Sequence, residues 1–144
     1  MRARTQIALL ILGTGLVACP DPISRSHIDA NVPDATNFDR FLQRDVDAWF
    51  SAKFAPAPPV KCSTELLRPG PTQTGISFPK YYAWVRCRRD SSSVAEGAIR
   101  LAAINREEFQ VTNFVSRAEA ASDPASVRAL FPAALVDDIV ARAK

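Results

Sequence analysis

The sequence predicts an α+β domain in which one amphipathic helix packs on a four-stranded antiparallel meander, followed by short C-terminal helices. Three observations carry this expectation. Residues 37–54 hold a single apolar stripe at helical spacing. Four segments between 60 and 115 are rich in β-branched and aromatic residues and are separated by turn-forming residues. After Asp123-Pro124 come two short stretches of helical periodicity. The length of 144 residues fits one domain. Hydrophobic residues at 47% and charged residues at 23% are globular proportions, which excludes a disordered or collagen-like chain.

The first residues read as a processing signal. Arg2 and Arg4 precede an apolar run over 7–18 (IALLILGTGLVA), the pattern of a secretory signal peptide spanning 1–18. A spanning helix needs roughly 20 apolar residues, so this run is too short to be one. It ends on Leu16-Val17-Ala18-Cys19. These four residues resemble the lipobox of bacterial lipoproteins, in which an aliphatic residue and two small residues precede a cysteine. The resemblance covers residues 1–19 and implies that Cys19 becomes the acylated N-terminus. Each acyl CH₂ contributes about 0.8 kcal/mol in the bilayer, so two or three chains make a lasting anchor. Without Arg2 and Arg4 the formal charge falls from +3 to +1, which gives no electrostatic case for nucleic-acid binding.

Residues 20–35 contain three prolines and no clear periodicity, so Cys19 and this segment are expected to form a flexible tether ahead of a domain over 36–144. His27, the single histidine, falls in that segment, a poor setting for catalysis. With Cys19 acylated, Cys62 and Cys87 remain. An even remainder in an oxidising compartment reads as a disulfide, whereas free thiols or a two-cysteine metal pair lack supporting residues. Chain-entropy arguments give such a crosslink about 3.5 kcal/mol.

Within the domain, Phe38, Phe41, Leu42, Val46, Trp49, Phe50 and Phe54 form the helical stripe, and Thr36 with Asp39 has capping-box spacing. The run APAPP at 55–59 stops this helix. Strands are expected at 60–67, 80–89, 94–104 and 108–115. Placing Cys62 opposite Cys87 sets Thr64 against Val85 and Leu66 against Ala83. The next pairs are then expected as Val85–Ile99 and Ala83–Leu101, and the last as Leu101–Val111 and Ala103–Phe109. Leu66, Ala83, Val85, Ile99, Leu101, Phe109, Val111 and Val115 thereby share the face covered by the 37–54 helix. Gly97, the one glycine in an expected strand, marks a bulge or a close approach. The element order is similar to that of cystatin-like and NTF2-like folds, a similarity of architecture with no shared motif.

The opposite sheet face is where function is expected. Tyr82, Trp84, Arg86, Arg100 and Phe114 gather there, with Trp84 and Arg100 as neighbours, and such residues dominate binding surfaces. Two readings stand: an exposed binding face, or a face covered by the C-terminal helices at 124–131 and 132–142. Arg86, Arg88 and Arg89 add a basic cluster, read as a solvated strand end or as a contact for phosphates or acidic groups.

No nucleophile elbow, HExxH, P-loop, dinucleotide fingerprint or EF-hand loop occurs. The adjacent carboxylates Glu107-Glu108 and Asp137-Asp138 diverge on a strand end and on a helix, so an enzyme, a cofactor and a metal site are not expected. The function these residues imply is that of a membrane-anchored cell-envelope lipoprotein. Its disulfide-stapled domain would face the periplasm or the exterior as a protein-interaction or structural module. Its partners would be the bilayer, through Cys19, and another envelope protein. The alternative is a binder of a small apolar ligand held between the sheet and the 37–54 helix.

Overall fold

The computed structural model describes residues 21–144. The expected signal peptide at 1–18 and the lipid-attachment residue Cys19 lie outside the described residues. Helices α1 (Pro22–Asn31) and α2 (Ala35–Lys53) precede strands β1 (Lys61–Leu66), β2 (Lys80–Arg89), β3 (Ser92–Ile104) and β4 (Glu108–Ser116). Helices α3 (Arg117–Ser122), α4 (Pro124–Leu130) and α5 (Ala133–Ala143) follow. The strands pair in sequence order as an antiparallel meander. The α+β class and the order of long helix, four-stranded meander and short C-terminal helices are those expected; α1 is additional.

The segment expected as a tether is largely helical. Asp21 caps α1 by accepting from the Ser24 backbone N–H at 2.9 Å and the Ser24 hydroxyl at 2.8 Å, and Pro22 occupies the first turn. At the other end Asn31 is seated on the β3–β4 turn. Its Oδ1 accepts from Asn105 N–H at 3.1 Å, and its carbonyl accepts from Arg106 N–H at 2.8 Å. Those two turn residues hold φ of 51° and 64°, so the bonds to Asn31 fix a left-handed conformation that an arginine rarely adopts. His27 therefore lies on a helix, not in a tether. Asp34, two residues ahead of the expected Thr36, caps α2 by accepting from the Thr36 and Asn37 backbone N–H groups.

The α2 stripe packs as expected. Leu42, Val46 and Phe50 are buried against Ala83, Val85, Ile99 and Leu101, and Phe38, Phe41, Trp49 and Phe54 complete the cluster. Phe38 meets Tyr81 and Phe109 edge-on, with ring centroids 5.1 and 4.9 Å apart. Cys62 lies opposite Cys87 and the two form a disulfide, and Thr64–Val85 and Leu66–Ala83 pair as expected.

The other two registers differ from expectation. Asp90, at φ 52°, makes a tight two-residue turn, so β3 begins at Ser92 and Val85 lies beside Gly97 instead of Ile99. From Lys80 to Cys87 the displacement is two residues, so each side chain there keeps its face; a bulge at Val94 then sets Arg88 against Ser93 and puts Val94 with Ala95 on the α2 side. Between β3 and β4 the pairs Leu101–Val111 and Ala103–Phe109 are as expected, but a bulge inserts Thr112 between Val111 and Asn113. Beyond it the faces exchange: Phe114 joins the α2 side and Val115 the opposite side. Gly97 is a close approach. A Cβ there would meet the Val115 carbonyl oxygen, and would lie 2.9 Å from Phe114 Cε2 and from Ser116 Cα.

The second face is covered. Val127, Phe131, Leu135, Val136 and Ile139 from α4, α5 and their junction pack with Tyr82, Trp84, Ala98 and Val115. The sheet is a middle layer between α2 and the C-terminal helices.

Candidate functional site

The five residues expected to form a binding face do not form one. Trp84 is 1% exposed and Tyr82 6% exposed. Tyr82 shares a 2.8 Å hydrogen bond with the Thr72 hydroxyl, and its ring lies 6.0 Å from that of Phe131. Arg100 sits opposite Tyr82 rather than beside Trp84, a result of the two-residue change in register. Its guanidinium donates to Thr112 Oγ1 at 3.1 Å and to the Leu130 carbonyl at 3.3 Å, which ties the bulge to the end of α4. Phe114 lies on the other face against Phe50, with centroids 5.1 Å apart. Of the five, only Arg86 is exposed.

Where the helical layer stops, Arg86 joins a different set. Lys61 and Ser63 of β1, Arg86 and Arg88 of β2, Asp90, and Ser93 and Glu96 of β3 line an open groove of about 750 Å³. Strand alternation explains the β1 and β2 members, because Cys62 and Cys87 point into the core and their neighbours point out; on β3 the bulge at Val94 brings Ser93 and Glu96, three positions apart, to the same side. Lys61 faces Arg88 and Ser63 faces Arg86 across β1–β2, and Ser93 faces Arg88 across β2–β3.

Glu96 organises the inner wall. Burial alone would raise its pKa, but it accepts from Trp84 Nε1 (3.2 Å), Arg86 Nε (3.1 Å) and Arg117 Nη1 (3.2 Å). The net effect holds it below the usual carboxylate range. It therefore stays ionised and anchors two arginines. Lys61 reaches around the sheet edge to Asp47 at 3.1 Å. Among the described residues no carboxylate pairs with Arg88. The cluster of three arginines was visible in the sequence, but Arg89 turns away and donates to the Pro58 carbonyl at 2.9 Å. Lys61, Ser63, Asp90, Ser93 and Glu96 were missed. Alternation counted outward from Cys62 and Cys87 would have found the first two.

Four carboxylates elsewhere have structural partners. Arg142 bridges Glu65 at 2.9 Å and Asp138 at 3.0 Å, and its guanidinium holds the Glu65 carboxyl below the usual range. Asp45 accepts from the Phe109 backbone N–H at 2.7 Å, and Asp47 accepts from that of Cys62 at 2.8 Å. No group of three His, Cys, Asp or Glu side chains among the described residues is placed to hold a metal ion. No described helix is long and apolar enough to cross a membrane. Comparison with family models, with curated proteins and with solved structures returned no match.

Proposed function

We propose that this chain is a membrane-anchored cell-envelope lipoprotein whose small domain is a non-enzymatic protein-interaction or structural module. The observation that carries this reading is the Cys62–Cys87 disulfide. Disulfides persist in oxidising compartments, so the crosslink fits a domain exported from the cytosol. It also accounts for two of the three cysteines and leaves Cys19, in Leu16-Val17-Ala18-Cys19, for acylation. Two or three acyl chains then hold the domain at the bilayer. Asp45, Asp47, Glu65 and Asp138 are engaged in strand-edge bonds and ion pairs, which suits a binding or scaffolding role.

Fractionation of cells expressing the wild type and Cys19→Ala tests the anchor. The wild type is expected in the membrane fraction with acyl chains added to its intact mass. The variant is expected in the soluble fraction or as the unprocessed chain. A variant that fractionates and migrates like the wild type overturns the proposal. Cross-linking in native membranes tests the interaction role. Cross-links from one reproducible surface of the domain to one envelope protein support it, and an anchored, folded domain that yields none refutes it.

A further inference from the structure

We infer that the groove between β1, β2 and the start of β3 binds the oxyanion of a phosphate ester. This site is separate from the anchor and does not rest on acylation of Cys19.

The groove carries positive charge that the protein does not fully compensate. Lys61 and Arg88 occupy directly opposed positions on neighbouring strands, and like charges there repel. Lys61 is paired with Asp47 of α2 at 3.1 Å. Arg88 has no carboxylate partner among the described residues, and Asp90 in the adjoining turn forms no ion pair with it. Arg86 uses Nε for Glu96, while its two terminal nitrogens have no protein partner among the described residues. Glu96 is itself balanced by Arg86 and Arg117, so it does not cancel the remaining positive charge.

The donors suit an oxyanion. Two guanidinium groups on one strand offer forked N–H pairs, the geometry that matches phosphate. Ser93 stands opposite Arg88, and Ser63, opposite Arg86, makes only a long 3.4 Å bond to the Arg86 carbonyl. Donors thus approach from three strands, as the three terminal oxygens of a phosphate ester require and the two of a carboxylate do not. An anion there compensates the unpaired charge of Arg88, and because it binds the folded state it also raises stability.

The full chain carrying Cys19→Ala, which removes any anchoring contribution, is titrated with glycerol 3-phosphate at low salt. Backbone amide NMR shifts and thermal unfolding report binding. Saturable shifts are expected at Ser63, Arg86, Arg88 and Ser93, together with a rise in Tm. Arg88→Ala is expected to weaken binding about ten-fold or more, and Arg128→Ala on α4 to leave it unchanged. Arg88→Glu separates binding from folding: it is expected to abolish binding while leaving the ligand-free Tm close to that of the wild type, because the exposed Arg88 has no ion pair to lose. A parallel arm with phosphatidylglycerol vesicles identifies the source of the phosphate. Arg88-dependent binding to vesicles alone assigns a lipid headgroup, and binding to glycerol 3-phosphate assigns a soluble ester. Absence of saturable binding in both arms, or equal weakening by Arg88→Ala and Arg128→Ala, overturns the inference.

Discussion

Gly97 faces Val85 on one side and Ser116 on the other, with the Phe114 ring where a side chain would stand. The bulge at Thr112 turns Phe114 onto this face, and the absent side chain makes room for it. Gly97→Ala is therefore expected to destabilise by about 1–3 kcal/mol, since overpacking displaces backbone that cannot yield; urea unfolding measures it, and an unchanged midpoint would contradict the packing. The need for a small residue was legible, because a lone glycine amid β-formers has few other reasons to occur. The bulge was not legible. Arg100 and Thr112 are ordinary strand residues, and their mutual hydrogen bonds arise only once the register is set. The start of α1 was written in the sequence but went unread. Asp21-Pro22 repeats the cap-then-proline signal of Asp123-Pro124, yet the neighbouring prolines and polar residues masked it.

At the level of elements, α2 does more than cover the core. β1 and β4 are the sheet edges, and each presents backbone groups with no strand partner. Asp47 and Gln43 take up the Cys62 N–H and carbonyl at 2.8 and 2.7 Å, while Asp45 takes the Phe109 N–H at 2.7 Å. Polar side chains of one helix thus act at both edges. Asp47→Ala leaves a buried N–H without an acceptor and is expected to cost about 1–3 kcal/mol, with Asp47→Asn recovering part of it. Equal unfolding midpoints for the two variants would show that the acceptor does not matter. The apolar stripe of α2 was readable from spacing alone. The roles of Asp45 and Asp47 were not, because a charged residue beside such a stripe looks the same whether it meets solvent or a strand edge.

Across the whole molecule, the sheet is buried on both sides. Tyr81 to Val85 are all buried, an unbroken run instead of an alternation. Such runs belong to strands covered on both faces, so this stretch already favoured helical cover over an exposed patch. Burial also shapes the response to alkali, for it pushes the Tyr81 phenol up to about 12. An unfolded tyrosine ionises near 10, so the folded state retains its proton over the higher range. The Tyr81 contribution is complete below about pH 10 and is lost as pH rises towards about 12. Tyr81→Phe is therefore expected to lose less stability than the wild type across that window; parallel unfolding midpoints in both proteins would exclude it. A last consequence concerns reach. A disordered linker of this length could swing the domain tens of ångströms out from its attachment point. Helix α1 spans only about 15 Å, and Asn31 bolts its far end to the β3–β4 turn. If Cys19 is the attachment, α1 keeps the domain within a short distance of the bilayer, so a partner would meet it near the membrane plane.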